Sequence, residues 1–207
     1  MLTRRTALGW SSYLVDSVQL AERLSGVPVA TGLLAPFTLG TGRMHGTPYY
    51  VWLVPPRPVT IDIRFDGLHT VTFRTPPLVW AGCGPDYRLA ALHTRDLDAS
   101  GWPRSADIPL YHAPFGNVFA PLGICWGTGD RPLPATAGGM TAAFAVFLTG
   151  SAFNANESRG RSKAHPANIL RRYDDLGAET PYPDDDMEKC GRTLSGMLSG
   201  DPWKGYA

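Results

Sequence analysis

Between Tyr49 and His93 the chain alternates short runs of β-branched and aromatic residues with breaks made of proline and glycine. The runs are YYVWLV (Tyr49 to Val54), VTIDIRF (Val59 to Phe65), HTVTFR (His69 to Arg74), LVWAG (Leu78 to Gly82) and YRLAALH (Tyr87 to His93). Pro55, Pro56 and Pro58 split the first two, Asp66-Gly67 the next two, and Gly84-Pro85 the last two. Runs of this length and composition are strands, and an Asp-Gly step between two of them is a hairpin turn. Close turn signals predict an antiparallel meander and exclude a helical bundle, in keeping with the high Gly 23 and Pro 19.

Helical spacing marks the two ends. Leu14, Val18, Ala21 and Leu24 recur on one face, and Gly26 and Pro28 stop the pattern. MTAAFAVFL, within residues 136–148, predicts an apolar helix packed on the sheet. HPANILRRYDDL carries Pro near its start and Gly177 after its end, the order expected of helix punctuation. DDDMEKCGRTLSGML opens on three aspartates, which favour a helix N-terminus through its dipole and place Cys190 in mid-helix. The tail SGDPWKGYA is expected to be loose or lightly docked. The fold class read from this is α+β: an antiparallel β-meander with helices packed on one side and an irregular segment from about Thr94 to Pro134. A chain of 207 residues suits one domain. Its parts are an N-terminal extension and first elements (1–46), the meander and active-site segment (47–135), C-terminal helices (136–200) and a tail (201–207). An irregular stretch that long inside a domain is expected to be functional.

Charge removes several function classes. Lys+Arg 19 against Asp+Glu 18 leaves a formal net charge of +1, so no basic face for nucleic acid or an anionic membrane is expected. No run approaches the length of a membrane span. The opening LTRRTALGWSSYLVD has two arginines before apolar residues, but Ser11, Ser12 and Asp16 break the run, so it is read as a folded first strand or helix and not as an export signal. Cys83, Cys125 and Cys190 form neither a disulfide scaffold nor a CxxC pair, which fits the cytoplasm. His45, His69, His93 and His165 lack metal-ligand spacing, and LGTGRMHG (Leu39 to Gly46) lacks the Gly-Lys-Ser/Thr end of a phosphate loop. No cofactor or metal is expected.

The irregular segment contains HAPFGNVFAPLGICWG, from His112 to Gly127. A reactive cysteine needs access, a route to thiolate and donors for an oxyanion. Cys125 lies between Gly123 and Gly127, which leave room for close approach. Asn117 would offer an amide donor if the loop folds back beside the thiol, and His112 a hydrogen bond that shapes the loop. Trp126 could wall the cleft or simply pack; Cys83 and Cys190 read as structural.

LYHAPFGNVFAPLGICWG resembles the active-site segment of ubiquitin-conjugating (UBC) enzymes: Asn117 precedes Cys125 by eight, Val118 follows the Asn and Ile124 precedes the Cys. TPPLVW (Thr75 to Trp80) resembles the strand before that segment. ADIPLYHAPFGNV, GICWG, AFAVFLTGSAFNAN and HPANILRR are similar to the prokaryotic UBC-like group that includes PRTRC system protein B and the conjugating enzymes of bacterial ubiquitin-like (Bil-type) operons. The resemblance covers about Pro76 to Asp175. Departures are the opening of His-Pro-Asn into His112 to Asn117, a Gly two rather than three residues before the Cys, and an insertion at about Gly82 to Asp107. The resemblance implies a UBC-like fold and a thioester on Cys125 that accepts a ubiquitin-like modifier and passes it to a lysine amine. Asn117 would steady the loop or the oxyanion, and His112 the loop; Asp130 would lower the pKa of an incoming lysine or orient it, or simply solvate a turn. Implied partners are the modifier, a ThiF-like adenylating enzyme, a JAB-type deconjugating protease and a target protein, in an antiphage or plasmid-associated operon. The alternatives are an inactive UBC-like binding module for the modifier, and a thiol hydrolase using Cys125 and His112.

Overall fold

Proline decides the route of the chain after its first long strand. The computed structural model describes residues 2–6, 9–13, 37–127, 132, 134–150 and 152–203. β1 (Leu2–Thr6) and β2 (Gly9–Tyr13) pair as a hairpin, in line with a first strand. The helix expected over Leu14 to Leu24 lies outside the described residues. β3 (Thr38–Met44) turns through His45 and Gly46, at φ 49° and 81°, into β4 (Thr47–Val54). Pro55 and Pro56 then follow, without a backbone donor to extend the ladder.

Beyond them β5 (Pro58–Arg64) and β6 (Leu68–Arg74) form the expected hairpin around Asp66 and Gly67, at φ 54° and 117°. This hairpin does not continue β4. β4 pairs instead with β7 (Leu78–Cys83), β7 with β8 (Asp86–Ala91), and β8 with β9 (Pro109–His112). β10 (Phe153–Asn154) joins β5 in parallel, so β10-β5-β6 is a separate sheet. β11 (Lys189–Thr193) closes the large antiparallel sheet, whose order is β11-β9-β8-β7-β4-β3. The single meander is thus corrected to two sheets, and burial is the reason. Every residue of β7 is buried, whereas β5 alternates exposed and buried. A strand apolar on both faces needs cover on both, and a one-sided hairpin supplies it.

α1 (Met140–Thr149) lies where the apolar run predicts it and buries Met140, Ala143, Phe144 and Phe147. With the β5–β6 hairpin it covers Leu78, Trp80, Leu89 and Tyr111. The Trp80 indole N–H donates to the Met140 carbonyl at 3.1 Å, tying helix to sheet. α2 (Leu194–Leu198) sits on the opposite face, where Leu194 and Met197 meet Val51, Leu53, Val79, Ala81, Leu92 and Leu110. Helices packed on one side is therefore corrected: the central strands are apolar on both faces, and each face takes a helix.

Two further helix expectations change. HPANILRRYDDL forms a 3-10 stretch, Ile169–Asp175, opened by the Asn168 carboxamide oxygen accepting the Leu170 N–H at 3.0 Å. The aspartates of DDDMEKCGRTLSGML do not open an α-helix. Asp184 accepts the Thr94 and Arg95 amides at 2.8 and 3.2 Å, while buried Asp186 accepts from Ser162, Ala164, Tyr182 and Arg172. With those carboxylates spent on tertiary bonds the chain runs on as β11, so Cys190 is on a strand. In the tail, Trp203 is docked, 3% exposed and 5.6 Å from the Tyr49 ring; residues 204–207 lie outside the described residues.

Candidate active site

The segment read as irregular is an ordered ribbon on the edge of β8. β9 pairs with only the last two residues of β8, Ala90 opposite His112 and Ala91 opposite Tyr111. The rest of that edge is taken by the returning chain: Leu89 donates its N–H to the Leu122 carbonyl at 3.0 Å, and Arg88 bridges Gly123. Residues 117–125 then pair with themselves. Val118 bridges Ile124, the Phe119 N–H donates to Gly123 at 2.6 Å, and the Cys125 N–H donates to Asn117 at 2.8 Å.

The spacing of eight now has a physical meaning. In this register Asn117 lies opposite Cys125, with Ala120, Pro121 and Leu122 as the loop. Opposed residues put their Cβ atoms about 4.5–5.5 Å apart on the same face of a ribbon. Val118 and Ile124 share the other face and are buried at 0% and 8% exposure. Cys125 is half-buried. The structure thus brings Cys125 and Asn117 together, and the shared backbone pairing does it.

Asn117 is 2% exposed, and both ends of its carboxamide have partners. Its oxygen accepts the Asn154 N–H at 3.2 Å, and its Nδ2 donates to the Ala152 carbonyl at 3.4 Å. It joins the ribbon to β10. Ahead of it, Phe115 is fully buried among Phe73, Phe147 and Phe153, with ring centroids 5.4–5.7 Å away. Tyr173 donates its hydroxyl to the Pro114 carbonyl at 2.8 Å, and the Gly116 N–H donates to the Tyr173 hydroxyl oxygen. Burial pushes that hydroxyl far above its ordinary pKa, so it stays a donor.

His112 ends β9, half-buried, with Nδ1 3.1 Å from Nη1 of Arg161. A guanidinium only donates, so Nδ1 accepts and the ring proton sits on Nε2. Burial, and then the Arg161 charge, push the His112 pKa down to about 4, leaving the ring neutral at pH 7. Its Nδ1 is engaged by Arg161 and not by the Cys125 thiol.

Trp126 packs against Tyr87, Trp80 and Phe147 at 5.5, 6.3 and 6.4 Å, anchoring the chain just after the cysteine. Ile124 and Trp126 line a cavity of about 400 Å³ with Tyr87, Arg88, Phe119 and Pro121. The ribbon tip is apolar and open, with Phe119 41% exposed. Cys83 is buried, and burial, then Asp86, raises its pKa; Cys190 points at the Leu110 carbonyl, 3.3 Å away, and burial raises its pKa too. Asp130 lies outside the described residues. Among the described residues no group of three His, Cys, Asp or Glu side chains is placed to hold a metal ion, and no helix is long and apolar enough to cross a membrane.

Residues 19–190, more than half of the chain, match the model of prokaryotic E2 family D. The chain belongs to prokaryotic E2 family D. Membership implies the UBC-like fold, ubiquitin-like conjugation, and interaction with a ubiquitin-like modifier and its activating enzyme. No curated protein and no solved structure matches the chain.

Sequence reasoning missed Arg161, Tyr173 and the Asn154 amide as parts of this site. Asn154 and Ala152 lie in AFAVFLTGSAFNAN, so that resemblance pointed at the right segment. Arg161, between Gly160 and Ser162, reads as an ordinary loop cation and carries no periodic signal.

Proposed function

We propose that this family member is a ubiquitin-like-protein conjugating enzyme with Cys125 as its thioester cysteine. The Cys125 thiolate attacks the thioester carbonyl of the modifier held by a ThiF-like adenylating enzyme; the new C–S bond forms as the donor thiolate leaves. A lysine amine then attacks the Cys125 thioester. A C–N bond forms, the C–S bond breaks, the amine gives up its proton and Cys125 leaves as thiolate. No metal or organic cofactor takes part. The observation that carries this reading is the half-buried Cys125, placed opposite Asn117 by the paired ribbon while the other two thiols are raised in pKa by burial.

In this reading Asn117 acts first as a clamp, because its carboxamide is already bonded to β10. His112 shapes the loop and is not the base. The thiol-hydrolase alternative loses support, since it needs the imidazole on the sulfur while Nδ1 faces Arg161. The whole chain, 1–207, acts as one UBC-like domain in the cytoplasm, beside a JAB-type deconjugating protease, in an antiphage or plasmid-associated operon. Incubation with modifier, adenylating enzyme and ATP is expected to give a gel shift that reductant removes. Cys125→Ala abolishes it, while Cys83→Ser and Cys190→Ser keep it. A shift that persists in Cys125→Ala would move the nucleophile elsewhere, and an unreactive wild type that still binds the modifier would favour the inactive binding module.

A further inference from the structure

We infer that Arg161 is the positioning residue of the Cys125 ribbon: its buried guanidinium holds the end of β9, the ribbon and the turn after β10 in one register. The inference rests on the conjugating reading for its kinetic consequence, but not for its structural one.

Arg161 is 3% exposed. Its Nε donates to the Glu157 carbonyl at 2.7 Å, its Nη1 to His112 Nδ1 at 3.1 Å, and its Nη2 to the Val118 carbonyl. These acceptors belong to three separate segments. Among the described residues no carboxylate lies within ion-pair distance of it, whereas nearby Arg172 has both Asp186 and Asp175. A buried cation without a paired anion is costly, and an apolar residue would fill the space more cheaply. What an apolar residue cannot supply is a planar fork of donors reaching three acceptors at once.

The position of the Val118 carbonyl gives the fork its consequence. Val118 bridges Ile124, the residue before Cys125, and the Cys125 N–H is bonded to the residue before Val118. Fixing the Val118 carbonyl therefore fixes the strand against which the nucleophile's own backbone is paired. The same guanidinium presents an N–H to His112 Nδ1, which keeps that ring in one tautomer and one orientation. Arg161 touches no reacting atom here; it acts through His112 and Val118.

The test uses the full chain as wild type, Arg161→Lys and Arg161→Ala. Amide hydrogen exchange is followed at Phe119 and Cys125, the protected ribbon amides, and at Leu53, whose N–H donates to the Phe37 carbonyl away from the ribbon, as a sheet reference. Lysine keeps the charge but not the fork. Both variants are expected to lose protection at Phe119 and Cys125 more than at Leu53. Single-turnover transfer to lysine is expected to slow by roughly tenfold to a hundredfold for the lost charged hydrogen bonds, with an unchanged apparent KM for lysine and a smaller loss in Arg161→Lys. Equal loss of protection at all three amides, or wild-type transfer rates in the folded variants, would overturn the inference. Where neither variant folds, nitrogen NMR of wild-type His112 decides: an Nε2–H tautomer supports the clamp, and a proton on Nδ1 overturns it. A wild type that forms no thioester while the ribbon amides respond as expected would sink the conjugating reading and leave Arg161 as the ribbon clamp.

Discussion

At Gly116 a methyl group would stand 2.6 Å from the Asn154 carbonyl oxygen and 3.1 Å from a Leu170 methyl. The first neighbour is backbone and cannot step aside. Gly116→Ala is therefore expected to lower stability by about 1–3 kcal/mol in denaturant titration and to push the ribbon off β10. Gly123, only two residues before the cysteine, is the control. Its nearest neighbours to an added Cβ are 3.7–3.8 Å away, so Gly123→Ala is expected to stay within about 1 kcal/mol of wild type. Asn117→Ala leaves the half-buried Asn154 N–H without its acceptor, an expected loss of roughly 1–3 kcal/mol. Because the same side chain sets the ribbon, charging and discharge should fall together; a variant that charges normally and only discharges slowly would make Asn117 an oxyanion donor instead. The ribbon that opposes Asn117 and Cys125 was not legible in residues that read as irregular, but the association of the two was, through the resemblance and its spacing of eight. Arg161 was not, because one cation in a polar loop looks the same whether it is solvated or buried under a ribbon.

Phe147 joins the elements that carry the site. It is 3% exposed on α1, with Trp80, Phe115, Phe153 and Trp126 around it at 5.3–6.4 Å. Two of those rings, Phe115 and Trp126, flank the ribbon in sequence. Phe147→Ala is expected to cost about 3–5 kcal/mol and also to speed alkylation of Cys125, as the ribbon loosens at both ends. Destabilisation without a change in alkylation would mean that the ribbon does not depend on α1. At this scale the strands from Tyr49 to His93 were readable, since proline, glycine and β-branched runs mark where strands start and stop. Their partners were not, since alternation in β5 fixes a face and not a neighbour. β11 gave no signal at all: KCGRT is an exposed edge with no apolar alternation, and the aspartates before it are spent on Thr94, Arg95 and the Asp186 hub.

The molecule as a whole holds a sheet between two apolar layers, with the ribbon set on the layer that α1 and the hairpin share. Its acid response should be set first by histidine. Burial and Arg161 hold His112 near 4, and burial also lowers His93, which stacks on Tyr111 with ring centroids 3.7 Å apart. A group with a depressed folded pKa binds its proton more readily in the unfolded chain, so stability is complete above about pH 6.5 and is lost as pH falls toward 4. For His112 alone the loss is at most about 3 kcal/mol across that window. His112→Gln should flatten the slope of unfolding free energy against pH between 6.5 and 4, and an unchanged slope would mean that this imidazole is not the group responsible. The central claim is that Cys125 carries the modifier, and intact mass with peptide mapping after incubation with modifier, adenylating enzyme and ATP tests it most directly. The account predicts one added modifier less one water, mapped to Cys125 and released by thiol, and a reductant-resistant, slowly discharged adduct at the same position in Cys125→Ser. An adduct mapped to Cys83 or Cys190, or full transfer activity in Cys125→Ser, would contradict it.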